Sequence, residues 1–536
     1  MNKIISILLL ILLFHSGFAK EKYWISFKDK EVDTYHYSQY LSAEAIANRT
    51  NFGLPLYQYS DVPVTPSSLH KIRLKGIQTL YVSRWLNAVS CYMTKEQAEE
   101  IAKLDFVSDV FPIKGRLEIT SCGVLVNPAY VHIAMKQMQI NSFIEDSLSG
   151  KGIAIGVIDA GFYDAQIDKK LKHLFDENKI IAQKDFLAPE REDLITVKAT
   201  DADYHGRIVL EMIAGYNAAT REITGMATNS TFYLARTEHG DREFRGEEDT
   251  WIAAMEWMDS RGVRLISTSL GYSTKMDDPN DNYTREEMNG MTARITKAAQ
   301  IATDEKGIFL VVSAGNEGSN PGWQIISAPA DAKGVLSIGA TKSNNCERIE
   351  YSSIGPEFLP YLKPNVSCYS PNGTSFSAPA VAGFVSCLMQ RAPTLDNKKI
   401  KEILEKSAHL YPYGNNFIGY GIPRASRALK LIENPLIDFG KSSEKEIRGK
   451  KAKIHLEVKG PQEIVIFNKK NSTIVIDQKT IKVNGGDQYS SFSIFIRKIF
   501  GKNDLYKYAT INLKRSPSVA RTTISYQDSV MEIIWK

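Results

Sequence analysis

Four short stretches of this chain put chemically able residues where turns and helix starts can present them. The apolar run 153–158 ends abruptly in Asp159, followed by Ala160 and a turn-forming Gly161. His205-Gly206 opens a helical run, the glycine leaving room beside the imidazole. A second apolar run, 309–312, ends in Ser313-Ala314-Gly315-Asn316-Glu317-Gly318, an amide held between glycines. In Asn372-Gly373-Thr374-Ser375-Phe376-Ser377-Ala378-Pro379 a serine stands at a helix start, where the helix dipole favours an anion beside it. Each alone has a plainer explanation: a structural Asp, an incidental His–Gly pair, a turn Asn, a Ser N-cap. Together they offer a hydroxyl nucleophile, a base, an acid to orient the base and a donor for an oxyanion, which is what acyl transfer requires. The Gly-x-Ser-x-Gly elbow is excluded, because Ser377 stands where its second glycine would be.

These residues need a scaffold that ends several strands side by side. Between Gly150 and Ile432, apolar runs at 153–158, 232–235, 265–266 and 308–312 alternate with helical patterns at 207–216, 247–260 and 288–302. Unbroken apolar strands are buried on both faces, so the alternation predicts an α/β fold: a doubly wound, mostly parallel sheet with function at the carboxyl ends of its strands. Residues 20–120 read as a smaller α+β module. Its strands are 23–27 and 107–113, with a strand or hairpin at 80–93. Helices at 41–49 and at 95–104, the latter capped by Thr94, are expected to cover one face of the sheet. Residues 436–536 carry seven short alternating runs (453–458, 463–467, 473–476, 481–483, 491–496, 506–513 and 522–526) between turn signals, predicting a small β-sandwich.

Composition sets the outer limits. The 536 residues are 43% hydrophobic and 24% charged, an ordinary globular balance that excludes a disordered, collagen-like or multi-span membrane chain. The net charge of +5 gives no case for nucleic acid. It is unevenly spread: 436–536 holds 19 Lys and Arg against 10 Asp and Glu, on a mildly acidic remainder. That basic excess is either a solvated face or a docking surface for an anionic glycan or cell surface. Lys3, the apolar run 4–14 broken only by Ser6, and the small Gly17 and Ala19 read as a secretory signal over 1–19. No later run reaches the ~18 apolar residues of a membrane span, so a secreted protein is expected. Of five cysteines, Cys387 lies in an apolar helical run as a core residue, and Cys346–Cys368 is the pairing to test. Asp277-Asp278-Pro279-Asn280-Asp281-Asn282 is rich in hard oxygen ligands but lacks EF-hand spacing. It reads as an exposed acidic loop; structural Ca2+ there is the one metal the sequence admits, and the chemistry calls for no cofactor.

The order Asp159, His205, Asn316, Ser375, with the motifs SAGNEG at 313–318 and GTSFSAP at 373–379, resembles the subtilisin-like serine proteases over roughly 130–430. The resemblance implies a catalytic domain at 121–435 that cleaves protein and peptide substrates. In it Ser375 is the nucleophile, His205 the base, Asp159 the orienter and Asn316 an oxyanion donor. It further implies that Ser269-Leu270-Gly271 pairs with substrate backbone and that Gly315 walls the main specificity pocket. Residues 20–120 become a propeptide that assists folding and inhibits in cis, and 436–536 an accessory module. The chain departs from the family at three places. Ala160 replaces the usual Ser or Thr, and Arg207-Ile208-Val209 replaces Thr-His-Val, with Arg207 and Glu211 spaced to pair along the helix. The stretch 363–374 is also short. A catalytically silent scaffold and an esterase on the same fold are the competing readings.

Overall fold

The computed structural model describes residues 20–113, 129–199, 202–239, 247–273, 282–439, 442–458, 462–483 and 507–536. Three bodies follow one another along the chain. The first is an antiparallel sheet of β1 (Glu21–Phe27), β2 (Thr79–Ser83), β3 (Ala88–Met93) and β4 (Val107–Pro112), ordered β2-β3-β1-β4. Helices α1 (Ala43–Asn51), α2 (Pro66–Leu74) and α3 (Lys95–Ile101) accompany it. Thr94 and Gln97 close a reciprocal capping box at the start of α3, as their spacing predicts. The sheet face is covered by α2 and α3, through Ile72, Ala98 and Ile101 on Tyr23, Ile25, Val89 and Cys91. Helix α2 was not anticipated; it starts on Pro66 and carries only two buried side chains. Helix α1, expected on that face, instead leans on the next body, where Asn48 Nδ2 donates to Gly262 O at 2.6 Å.

The second body carries a seven-stranded parallel sheet. Its strands are β5 (Ala154–Asp159), β6 (Ile180–Asp185), β7 (Thr231–Arg236), β8 (Leu265–Thr268), β9 (Phe309–Ser313), β10 (Leu336–Thr341) and β11 (Val366–Tyr369). Their order is β11-β10-β9-β8-β5-β7-β6. Helices α4 (Asp203–Ala214), α7 (Ser377–Arg391), α8 (Asn397–Ser407) and α9 (Ala425–Glu433) cover one face, and α5 (Glu248–Asp259) and α6 (Arg294–Asp304) the other. This is the doubly wound α/β arrangement expected. Strand alternation decides which side chain meets which layer: Ile155 and Val157 of β5 face α4 and α7, and Ile158 faces α5. Gly156 lets α5 pack close, since a Cβ there would lie 2.3 Å from Met258 Sδ and displace that side chain. Strands β6, β10 and β11 escaped the sequence reading because they mix polar or small residues with apolar ones.

The third body pairs a five-stranded sheet with a two-stranded ribbon. The sheet holds β12 (Ser442–Ile447), β14 (Gln462–Lys469), β15 (Val475–Val483), β17 (Arg521–Tyr526) and β18 (Ser529–Trp535); the ribbon is β13 (Lys451–Val458) with β16 (Lys507–Lys514). Ile454, Leu456, Ile511 and Leu513 of the ribbon pack on Ile464, Ile466, Ile524 and Ile533 of the sheet. The runs expected at 473–476 and 481–483 are one strand, β15. The run at 491–496, the signal at 1–19, Cys122 and Asp277 to Asp281 lie outside the described residues. The Cys346–Cys368 pairing is corrected: both thiols are free, Cys346 Sγ lying 3.3 Å from Ser525 Oγ and Cys368 Sγ 3.6 Å from Ser377 O. Cys387 is buried in the core as expected.

Candidate functional site

Asp159 closes β5, and alternation turns its carboxylate to the α4 side of the sheet. There His205, in the first turn of α4, presents Nδ1 to Asp159 Oδ1 at 2.6 Å. The approach depends on glycine: a Cβ on Gly206 would sit 2.3 Å from Gly161 O and 2.9 Å from Asp159 Cβ. Asp159 Oδ1 also accepts the Ala160 N–H at 2.8 Å. Asp159 Oδ2 is buried without a hydrogen-bond partner, and Ala160 has no hydroxyl to offer it. Ser375 lies in the turn that feeds α7, and the His205 ring rests 5.8 Å from that of Phe376. All three side chains are buried, with exposures of 0% for Asp159, 5% for His205 and 0% for Ser375. Ser375 Oγ donates to Ser269 O at 3.1 Å, and His205 Nε2 makes no hydrogen bond.

Two further segments converge on the serine. Asn316 follows β9, and its Oδ1 accepts from Thr374 N at 2.8 Å and Thr374 Oγ1 at 3.0 Å. Fixing the amide oxygen against the residue before Ser375 turns Nδ2, the donor end, the opposite way. Ser269 follows β8, and its Oγ donates to Ser375 O at 2.9 Å. Leu270 is buried. Gly271 and Gly315 approach the same side chain, Ser327: a Cβ at Gly271 would lie 2.3 Å from Ser327 Oγ, and one at Gly315 3.0 Å from it. The structure therefore brings Asp159, His205, Ser375, Asn316, Ser269 and Gly315 to one end of the sheet. It gives a part to Thr374, which the motif at 373–379 contains without showing its role, and adds Ser327, which the sequence reading passed over because a lone Ser carries no pattern.

One expectation fails here. Glu211 pairs with Lys170 rather than with Arg207, whose guanidinium lies over the Tyr204 ring at 5.0 Å. Burial raises the Glu211 carboxyl above its ordinary range, and Lys170 draws it back.

Comparison with known proteins decides the family. The Subtilase family profile matches residues 150–421, half of the chain. The chain belongs to the subtilase family. A second profile, the Peptidase S8 propeptide domain of Bacteroidota, matches residues 22–121 of this subtilase. Subtilisin DY of Bacillus licheniformis is 27% identical over 268 residues, covering 48% of this chain and 84% of the relative. The subtilisin of Bacillus pumilus is 26% identical over 287 residues, covering 52% and 91%. Among solved structures, the epidermin leader peptide processing serine protease of Staphylococcus aureus superposes with a TM-score of 0.52 at 15% identity, over 78% of this chain and 100% of that one. That likeness speaks for the fold.

The propeptide-like body docks on α5 and α6. Trp24, Trp85, Ala88 and Ile113 join the core formed by those helices. Around them lies a buried polar network. Lys22 reaches Asp249 at 2.6 Å, and Glu256 accepts from Ser83 Oγ at 2.6 Å and from the Arg84 and Trp85 amides at 3.2 Å. Asp61 is held by Arg49 at 2.7 Å and, across the boundary, by Lys306 at 2.8 Å; Arg49 and Arg84 both reach Asp259. Burial raises the Glu256 carboxyl, whereas Arg49 and Lys306 hold Asp61 below its ordinary range against its desolvation. Among the described residues no cluster of three His, Cys, Asp or Glu side chains could hold a metal ion, and no helix is long and apolar enough to cross a membrane.

Proposed function

We propose that this subtilase is an exported serine endopeptidase that hydrolyses peptide bonds through an acyl-enzyme. The observation that carries the reading is the Asp159–His205 hydrogen bond at the end of a buried strand, with the His205 ring against Phe376, the residue after Ser375, and Thr374, the residue before it, anchoring Asn316. In the proposed cycle the Ser375 hydroxyl turns from Ser269 O to His205 Nε2 and gives up its proton as Oγ attacks the scissile carbonyl. His205 passes that proton to the leaving amine, Asp159 holds the imidazolium through Nδ1, and Asn316 Nδ2 with the Ser375 N–H receives the oxyanion. Ser269-Leu270-Gly271 would pair with substrate backbone as an added strand, with Gly315 on the opposing wall.

We assign 1–19 to a signal, 20–120 to a propeptide that inhibits in cis, 121–435 to the catalytic domain and 436–536 to an accessory module. For the last, exposed Lys451 and Lys514 stand directly opposite each other across the β13–β16 ribbon, with Lys453 beside them. Like charges so placed are destabilising, which supports a docking face for an anionic glycan or envelope. The second reading, a silent scaffold, draws support from the unpartnered His205 Nε2 and Asp159 Oδ2.

Wild type and Ser375→Ala, expressed from the full chain, separate the two. The protease reading expects wild type to lose roughly its first hundred-odd residues and take up a fluorophosphonate, while the variant does neither. Identical full-length products that both refuse the label would leave the scaffold.

A further inference from the structure

At the carboxyl end of β7, Arg236 stands in register between Asp159 of β5 and Asp185 of β6. It is 2% exposed, and its guanidinium faces three ways. Nε donates to Ala160 O at 2.9 Å and to Asp203 Oδ1 at 3.1 Å, and Nη1 spans both Asp185 oxygens at 3.3 and 3.1 Å. Ala160 is the residue after Asp159, and Asp203 lies two residues before His205. One side chain thus bonds both segments that carry the acid–base pair.

Those segments are in hard contact. A Cβ on Gly161 would lie 2.3 Å from Asp203 Oδ1, and Tyr163 N donates to Asp203 O at 3.0 Å. Stability alone gives little reason for charges here, since a buried ion cluster is commonly no better than apolar side chains of the same volume. A guanidinium fork supplies direction instead: planar donors at fixed angles, which an ammonium lacks. The need for it is local. Asp159 Oδ2 has no partner and Ala160 brings no hydroxyl, so the carboxylate is oriented through Oδ1 alone.

We propose that Arg236 is a positioning residue for the Asp159–His205 pair, tying the strand end at Ala160 to the helix start at Asp203 so that the 2.6 Å hydrogen bond between them is held ready. This rests on the reading of that pair as catalytic. Arg236 touches no substrate; its loss slows turnover and spares binding.

The test uses the full chain, secreted and matured, with a chromogenic peptide anilide that wild type cleaves. Arg236→Met is expected to lower kcat by about 10²-fold, the effect of an ångström-scale misplacement, with KM within about twofold. Arg236→Lys keeps the charge without the fork and should fall between the two. Leu404→Ala, a cavity variant in α8 remote from the site, shows how much rate is lost through lowered stability alone. If Arg236→Met does not fold, Arg236→Lys and Asp203→Asn carry the comparison. Wild-type kcat in Arg236→Lys, or losses no greater than those of Leu404→Ala at the same fall in Tm, overturns the positioning role while the protease reading stands. A wild type that neither cleaves peptide nor takes a fluorophosphonate overturns both.

Discussion

On the proposed mechanism, Asn316 serves structure and chemistry at once. Its oxygen satisfies Thr374 N–H and Oγ1–H, and that anchoring aims its nitrogen. Asn316→Asp keeps the acceptor and removes the donor, whereas Asn316→Ala removes both. Each is expected to lower kcat by about 10²–10³ with little change in KM, the contribution of one oxyanion donor. Only Asn316→Ala also leaves the buried Thr374 N–H unsatisfied, at about 1–3 kcal/mol of stability, since Thr374 Oγ1 keeps Gly315 O at 3.2 Å. Kinetics and thermal melts on the pair separate the two roles. Equal kcat in Asn316→Asp and wild type would remove Asn316 from the site.

Helix α5 shows the same tension over a whole element. Acids in a first turn suit the helix dipole, and Glu248 and Asp249 occupy that turn. Packing against α6 and Tyr283 buries Glu248, and that burial pushes its carboxyl up to about 8, with Asp249 adding to the rise and the Tyr283 hydroxyl opposing it. The folded state therefore binds this proton more tightly than the unfolded chain does. Stability is withdrawn as pH rises from the ordinary carboxylate range toward 8. Glu248→Gln abolishes the titration, so its Tm relative to wild type should climb steadily from pH 5 to pH 8. A difference constant across that range would show that Glu248 is not the titrating group.

In the whole molecule, the two seams between the bodies mix packing and polar contacts differently. The N-terminal body meets α5 and α6 through an apolar patch, Trp24, Trp85, Ala88 and Ile113, ringed by ions held out of water, where removing one partner strands the others. Asp61→Ala should weaken the hold of the N-terminal body by about 3–5 kcal/mol, read, on the propeptide reading, as faster release of the N-terminal segment from otherwise wild-type enzyme once it is cut. An unchanged release rate would show that the Arg49–Lys306 cluster is solvated in solution. The C-terminal body meets the subtilase body chiefly through packing. Leu410 and Ile418 meet Val465, Phe467, Val475 and Val530, while Asn416 pairs with Thr473 and Val475, and Arg348 with Gln478. So extensive a seam makes this body part of the subtilase body's support as well as a candidate docking module.

The sequence by itself determined the fold class and the identity of the chemical groups. An unbroken apolar run has one comfortable place, a strand covered on both sides, so the ends of 153–158 and 309–312 announced where Asp159 and Asn316 would stand. Local rules also sufficed for the capping box at Thr94. Tertiary structure decided what depends on neighbours remote in sequence. Arg236 looks like any charged strand end until the register sets it between Asp159 and Asp185. Ser327 and Thr374 matter only because other segments close on them. Folding leaves the thiols of Cys346 and Cys368 free, the first beside Ser525 and the second beside Ser377. Helix α1 lies against residues more than two hundred positions on, through Asn48 with Gly262 O and Arg49 with Asp259, rather than on its expected sheet. Spacing along the chain records chemistry and local geometry; only folding brings distant side chains within hydrogen-bonding distance, and that distance decides which of them act together.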